Sequence, residues 1–184
     1  RLWQEGVLVQ SAANDLNARG NRWYRQSDDE GRESFGVELE LAATPLRGWS
    51  VSAVGAWIDA QTKSSTDSVA DGSPVDKTPE WSATVTNRYA FSRGALAGLA
   101  AMATVNWQTE RWMATKSAAA PDPILVPWTT KVDLGLSYQV SPDLEVAANL
   151  ENAFDETIVE SGATGSALVM GSPRNLSLRV GYNF

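Results

Sequence analysis

Long segments of this chain alternate apolar and polar side chains with a period of two residues. Successive side chains of a β-strand point to opposite faces of a sheet, so this alternation predicts strands with one apolar and one polar face. It is clearest over 128–140, where one parity carries Trp128, Thr130, Val132, Leu134, Leu136, Tyr138 and Val140 and the other carries Thr129, Lys131, Asp133, Gly135, Ser137 and Gln139.

The same pattern recurs along the chain. Residues 175–184 alternate without exception, and residues 79–91 alternate with one polar misfit, Asn87, on the apolar parity. Weaker versions lie at 35–43, 49–61, 97–107 and 144–150, with a first strand expected within 2–12. Together these segments predict about eight strands.

The connections between the segments alternate between tight turns and long polar loops. Turn signals lie at 44–48, 92–95 and 141–143, and longer polar stretches lie at 62–78, 113–127 and 153–168. This order predicts an antiparallel meander whose long loops all lie at one edge of the sheet.

Strand length and the placement of aromatic residues favour a membrane barrel. A tilted membrane strand needs about 9–11 residues, whereas strands of soluble proteins average about 5–6. Aromatic side chains on the apolar parity flank a band of Ala, Val, Leu and Gly, as in the girdles of transmembrane barrels. The alternative is a soluble sandwich or lipocalin-like barrel, in which Trp57, Trp81, Trp107 and Trp128 would share a dry interior.

Composition excludes several classes of chemistry. The chain has no His and no Cys, and 22 acidic against 15 basic residues give a net charge of −7. Triads that use His or Cys and zinc sites that use them are excluded, and scattered cations do not favour nucleic acid. Paired carboxylates such as Glu38 with Glu40 leave a glycosidase alternative, but carboxylates alternating along a strand are typical of a hydrated face. We therefore expect no enzyme activity, no cofactor and no bound metal.

Motifs in the second half of the chain resemble the C-terminal end of a TonB-dependent outer-membrane receptor. The residues that carry the resemblance are Asn149, Asn152, Phe154 and Asp155, then Gly171, Pro173 and Arg174, and an alternating last strand that ends on Phe184. Ala153 stands where the family usually has Leu. Upstream, Gly36 and Glu38 in the run Gly36-Val37-Glu38-Leu39-Glu40 are similar to a family strand motif, so the likeness runs from about residue 33 to residue 184. Ferric-siderophore receptors are the most similar subgroup.

The resemblance implies energy-coupled uptake of a ferric siderophore or a similar scarce nutrient across the outer membrane of a Gram-negative bacterium. The family barrel has about 22 strands, so the chain corresponds to the C-terminal part of the barrel, without the plug domain and TonB box that are N-terminal in the family. The implied partners are TonB, through that N-terminal region, the barrel-assembly machinery and outer-membrane lipid. The C-terminal assembly signal would comprise Val180, Tyr182 and Phe184.

Two kinds of site residue follow from strand parity and from the motifs. Glu80, Glu110 and Trp112 have the parity and height expected of lumen-facing ligand-binding residues near the outer rim, although ordinary lumen residues share these features. Asn152 and Asp155 are expected to cap a turn, and Pro173 to precede the last strand where no ladder donor is needed.

A self-contained eight-stranded outer-membrane barrel with a structural or adhesion role is the alternative function. The coding region upstream of Arg1 separates the two hypotheses. The receptor hypothesis expects further strands and a plug there, whereas a signal sequence directly before Arg1 would favour the small barrel.

Overall fold

The computed structural model describes residues 2–10, 24–63, 72–114, 124–163 and 167–184, most of which lie in β-strands. The strands are β1 (Leu2–Gln10), β2 (Tyr24–Leu46), β3 (Trp49–Lys63), β4 (Trp81–Ala90), β5 (Leu99–Gln108), β6 (Arg111–Ala114), β7 (Ile124–Val126), β8 (Thr129–Ser141), β9 (Leu144–Glu151), β10 (Val159–Ala163), β11 (Ala167–Met170) and β12 (Asn175–Tyr182). A short 3-10 helix, Gly94–Leu96, precedes β5. Within these ranges no helix has the length and hydropathy needed to cross a membrane.

Eight of the strands form one antiparallel sheet in the order β1-β2-β3-β4-β5-β8-β9-β12. The connections β2–β3, β4–β5 and β8–β9 lie at one edge, which we call the short-turn edge, and the others lie at the opposite, long-loop edge. The predicted meander and the predicted positions of the three tight turns are confirmed.

The long connections contain structure that the sequence pattern did not reveal. β6 pairs with β7, and β10 pairs with β11, each pair forming a separate two-stranded sheet. These hairpins overlap the stretches 113–127 and 153–168, for which only polar loops were predicted, and extend beyond them to Arg111 and Met170. β10 contacts β6, so the two hairpins pack against each other at the long-loop edge.

The large sheet is not closed within the described part of the chain. β1 and β12 are its two outermost strands. β1 pairs only with β2, and β12 pairs only with β9. A self-contained eight-stranded barrel requires β1 to pair with β12, so the structure does not support that alternative.

The pairing register places the predicted apolar residues on one face of the sheet, which we call the apolar face. Residues paired across antiparallel strands share a face. From β2 to β12, each strand has a residue of the apolar parity paired with one on the next strand. These pairs are Val37 with Trp57, Trp57 with Trp81, Ala83 with Trp107, Trp107 with Thr130, Leu134 with Leu150 and Leu150 with Leu176.

No part of the described chain covers the apolar face. Trp81 is 48% exposed, Trp128 is 62% exposed and Leu178 is 75% exposed. Buried apolar residues are few among the described positions: Ala100, Met113, Val126 and Ala147. The alternative of a soluble sandwich or lipocalin-like barrel is therefore wrong, because its tryptophans would meet in a dry interior.

The opposite, polar face carries side-chain hydrogen bonds between neighbouring strands. Thr84 Oγ1 donates to Asn106 Oδ1 at 3.0 Å, the hydroxyls of Thr86 and Thr104 are 3.1 Å apart, and Gln108 Nε2 donates to Thr129 Oγ1 at 2.9 Å. These pairs satisfy polar groups on the face and agree with the backbone register.

The polar misfit on the apolar face, Asn87, has a specific partner. The indole N–H of Trp49 donates to Asn87 Oδ1 at 2.9 Å, at the short-turn edge. An amide among apolar side chains is tolerated when it is hydrogen-bonded, and an indole N–H is a donor that itself needs an acceptor. The exception to the alternation is thus one half of a side-chain pair.

Gly36 is a position where the sheet leaves no room for a side chain. A Cβ built on Gly36 would lie 2.6 Å from the carbonyl oxygen of Trp57 on the neighbouring strand. The close approach of the two backbones explains why glycine occupies this position of β2.

We predict that Gly36→Ala in the full-length receptor lowers the free energy of unfolding by about 1–3 kcal/mol, because β2 must move away from β3. Urea unfolding of the folded protein in lipid vesicles measures this change. Gly55→Ala is the matched control, since a Cβ there meets its nearest atom at 3.9 Å and the change should not destabilise the sheet. Equal destabilisation by both variants would contradict the explanation.

Candidate functional site

A cleft of about 660 Å³ lies at the long-loop edge, between the end of the large sheet and the first hairpin. The residues that line it include Trp107, Trp112, Trp128, Glu80, Glu110 and Arg111. The volume falls within the range of about 300–1,000 Å³ that is usual for small-molecule sites. Glu80, Glu110 and Trp112, the three residues predicted to bind ligand, all line this cleft.

Backbone hydrogen bonds hold the segments around the cleft. Lys77 N donates to the carbonyl oxygen of Trp112 at 2.6 Å, which ties the β3–β4 loop to β6. Thr109 N donates to the carbonyl oxygen of Trp81 at 2.9 Å, and Trp81 N donates to Thr109 Oγ1 at 3.0 Å. These bonds hold the residues after β5 against the start of β4, and the loop before β4 against β6.

The Glu80 side chain turns toward the apolar face. Trp57 Nε1 donates to Glu80 Oε1 at 3.0 Å, and Trp57 packs near Phe35 and Trp81, with ring centroids 5.8 and 6.0 Å apart. Glu80 precedes the first residue of β4, so its side chain is not held to the alternation of that strand. The lumen-facing orientation predicted for Glu80 is wrong for this reason.

The alternation of β5 does not extend to Glu110 and Trp112. Residues 109 and 110 are not in a strand, so the alternation of β5 does not continue into β6. In β6, Arg111 and Met113 are buried and Trp112 is half-buried. Trp112 lines the cleft together with Trp107 and Trp128, two residues that alternate with the apolar side chains of the large sheet. The lumen-facing direction of Glu110 and Trp112 was extrapolated from β5, and because the strand breaks between them and β5, that direction stays a prediction.

Arg111 is the residue of this region that sequence reasoning missed. Its side chain is 6% exposed, and Nη2 donates to the carbonyl oxygen of Val159 in β10, so it links the two hairpins. Nη1 is buried and has no hydrogen-bond partner among the described residues. Burial away from water lowers the pKa of the Arg111 guanidinium. The only signal in the sequence was a cation beside Glu110 and Trp112.

A second group of motif residues, Asn152, Asp155 and Arg174, lies before the last strand. We call these residues and their hydrogen-bond partners the clip. Asn152 is 1% exposed, its Nδ2 donates to the carbonyl oxygen of Glu156 at 2.9 Å, and its Oδ1 accepts from Glu156 N at 2.9 Å. Asn152 N donates to Asp133 Oδ1 at 2.8 Å. The turn after β9 is thereby fixed to itself and to β8.

The clip also connects the two motifs of the second half of the chain. Asp155 Oδ1 accepts from Arg174 N at 2.9 Å, and Asn152 Nδ2 donates to the carbonyl oxygen of Ser172 at 3.3 Å. Asn152 and Asp155 have φ values of 47° and 57°, a left-handed conformation that Asn and Asp tolerate better than most residues. The arrangement holds the segment that enters β12, and Pro173 lies two residues before that strand.

The other motif residues and the C-terminal residues take the following places. Glu38 pairs with Ala56 and Asn149 pairs with Gly135 in the ladders of the large sheet, and Phe154 is 75% exposed. Val180, Tyr182 and Phe184 are all exposed, and the rings of Tyr182 and Phe184 stand edge to face at 5.2 Å. They lie on or just after β12, which, like β1, pairs on one side only within the described part of the chain.

A comparison with known families identifies the chain. The family model described as TonB dependent receptor-like, beta-barrel matches residues 3–153. The chain belongs to the TonB-dependent receptor β-barrel family. This is a family of receptors and transporters, whose barrels lie in the outer membrane.

Two proteins with similar sequences are named as receptors, one for metal-pseudopaline and one for ferrichrome. The receptor chain is 27% identical over 164 residues to the metal-pseudopaline receptor CntO of Pseudomonas aeruginosa, covering 89% of this chain and 22% of that protein. It is 27% identical over 153 residues to the ferrichrome receptor FcuA of Yersinia enterocolitica, covering 81% of this chain and 19% of that protein. The chain thus spans about a fifth of the length of these relatives.

Solved structures show the same fold. The pyoverdine outer-membrane receptor FpvA of Pseudomonas aeruginosa matches 99% of the receptor chain with a TM-score of 0.78 and 22% identity, over 26% of its own length. The ferric-catecholate import receptor Fiu of E. coli matches 92% of the chain with a TM-score of 0.73 and 24% identity, over 23% of its own length. The predicted fold, part of a TonB-dependent receptor barrel, is confirmed.

We predict that Asp155→Ala in the full-length receptor lowers the free energy of unfolding by about 1–3 kcal/mol, because Arg174 N loses its acceptor. Asp155→Asn is the control, since Asn retains an oxygen acceptor and tolerates the left-handed backbone. Urea unfolding monitored by heat-modifiable gel migration measures both. A loss as large for Asn as for Ala would show that the carboxylate charge, and not the hydrogen bond, stabilises the clip.

Proposed function

We propose that residues 1–184 are the C-terminal segment of a receptor barrel that imports a ferric siderophore or a similar metal chelate across the outer membrane of a Gram-negative bacterium. The observation that carries the proposal is an open meander of eight strands with an uncovered apolar face, in a chain that belongs to the TonB-dependent receptor family. A complete barrel of about 22 strands needs further strands, and the plug and TonB box belong to that remainder.

The dimensions of the apolar face support a place in the lipid bilayer. Trp49 and Trp57 mark its two ends on β3 and are eight residues apart. That interval is about 27 Å along a strand, and a strand tilt of about 40° reduces it to about 21 Å along the membrane normal. The apolar band of outer-membrane barrels is about 25 Å tall, so the two rows of aromatic residues fit the two interfaces.

The names of the two sequence relatives support a chelated metal as the cargo. One is a receptor for metal-pseudopaline and the other is a receptor for ferrichrome. We assign the first contact with the cargo to Glu110 and Trp112 at the long-loop edge, which faces the cell exterior in this proposal. Trp112 offers an aromatic surface, and the Glu110 carboxylate offers acceptors and negative charge.

The proposed partners are those of the family. TonB supplies energy through the N-terminal region of the complete receptor, and the barrel-assembly machinery pairs with the strand that carries Val180, Tyr182 and Phe184. The free edge of β12 suits strand addition, in which main-chain hydrogen bonds provide the affinity. Outer-membrane lipid covers the apolar face, and no nucleic acid takes part.

We predict that the full-length receptor, as the only siderophore receptor of a test strain, supports uptake of ⁵⁵Fe from a ferric siderophore only when TonB is present. Trp112→Ala should weaken binding about tenfold, equivalent to about 1.4 kcal/mol, by removing an aromatic wall. Trp49→Ala, at the short-turn edge, is the control and should bind normally. Uptake that persists without TonB, or a panel of ferric chelates none of which is taken up, would contradict the proposal.

A further inference from the structure

We propose that Arg111 fixes how the two hairpins at the long-loop edge, β6–β7 and β10–β11, sit against each other, so that they move as one body. In this role Arg111 specifies an arrangement and does not add to the stability of the receptor. The inference goes beyond the proposed function, because it concerns the conformation of the hairpins and holds whatever the receptor carries.

Each hairpin is attached at its base to a different part of the large sheet. Lys77 N donates to the carbonyl oxygen of Trp112 in β6, and the loop that carries Lys77 is fixed to β3, because Val75 N donates to the carbonyl oxygen of Ala60 at 3.0 Å. At the base of the second hairpin, the clip joins the residues before β10 to those after β11. These attachments leave the orientation of one hairpin relative to the other to the contact between them.

That contact is made by β6 and β10, and Arg111 supplies a hydrogen bond to it. Nη2 donates to the carbonyl oxygen of Val159, which is 48 residues away along the chain, and Arg111 is 6% exposed. A guanidinium presents its donors in a rigid planar fork, and a hydrogen bond weakens steeply when it is misaligned. The bond to Val159 therefore forms over a narrow range of orientations of β10 relative to β6.

The energetics of Arg111 indicate that it does not stabilise the fold. Its Nη1 is buried and has no partner among the described residues. Burying a charged group and leaving one donor unpaired costs free energy that one hydrogen bond to a carbonyl oxygen only partly offsets. An apolar side chain of similar length would avoid that cost, but it would not define the direction of the contact. A buried polar group retained at such a cost is explained when it specifies one arrangement among several.

The test measures arrangement and stability separately, in the full-length receptor reconstituted in lipid vesicles. This chain has no Cys, so spin labels can be attached through Leu125→Cys in β7 and Val169→Cys in β11, both exposed positions, with the rest of the receptor kept free of reactive thiols. Pulsed EPR then gives the distance between the hairpins. A second label pair, at Val37 in β2 and Leu178 in β12, reports on the large sheet. We expect one narrow distance for each pair when Arg111 is present.

Three variants separate the hydrogen bond from the bulk of the side chain. Arg111→Met removes the bond and the buried charge but keeps a long side chain, and we expect the hairpin distance distribution to become about twofold broader. The sheet distance should not change, and the urea midpoint of unfolding should stay the same or rise. Arg111→Lys keeps a charged donor and should retain the narrow hairpin distance. Arg88→Met, which replaces an exposed cation on the polar face, is the matched control and should change neither distance.

Four outcomes would overturn the inference. The first is an unchanged hairpin distance in Arg111→Met, and the second is a distance as broad in Arg111→Lys as in Arg111→Met. The third is a lower urea midpoint in Arg111→Met, and the fourth is failure of that variant to fold, as judged by heat-modifiable migration, because either would show that Arg111 stabilises the fold. Uptake of a ferric chelate tests the proposed function separately, and its failure would not bear on these distances.

Discussion

The hydrogen-bond register between long antiparallel strands, which shifts only locally in the pairs β1–β2, β2–β3 and β8–β9, is the constraint on which the rest of this structure depends. In the regular segments it fixes every second residue to one face, so that apolar side chains from β2 to β12 form a continuous surface. No second layer covers that surface among the described residues, as is expected of the lipid-facing side of an outer-membrane barrel. The polar face, the edge strands and the position of the loops all follow from the same register.

The register explains why the fold could be predicted from the sequence. A period of two is preserved wherever the strand is regular, so the faces of β4, β8 and β12 could be assigned from the alternation alone. Even the exception at Asn87 is local, because the Trp49 indole supplies its partner across two neighbouring strands. The side-chain pair itself could not be predicted, since it depends on which residues the register brings together.

The candidate site could be predicted only in part, because it lies where regular strands end. The sequence indicated Glu80, Glu110 and Trp112, and all three line one cleft, but the Glu80 side chain turns toward the apolar face. The break at residues 109–110 means that the directions of Glu110 and Trp112 do not follow from the alternation of β5. Arg111 became visible only through its burial and its contact with Val159, which is 48 residues away along the chain. Long-range contacts between loops leave no periodic signal in a sequence.

The clip and the surroundings of Arg111, both at the long-loop edge, differ in how fully their polar groups are hydrogen-bonded. The clip around Asn152 and Asp155 uses hydrogen bonds to fix the entry to β12, whereas the buried Nη1 of Arg111 has no acceptor among the described residues. A satisfied network stabilises one arrangement. In the proposed receptor, the clip supports the barrel wall.

The most direct test of the account is whether the apolar face contacts lipid. The chain has no Cys, so single spin labels can be placed at successive positions 131–136 of β8 in the full-length receptor, reconstituted in lipid vesicles and kept free of other reactive thiols. The account predicts that collisions with oxygen, which concentrates in lipid, are frequent at 132, 134 and 136, and that collisions with a water-soluble nickel chelate are more frequent at 131, 133 and 135. The opposite alternation, or no alternation, would contradict it.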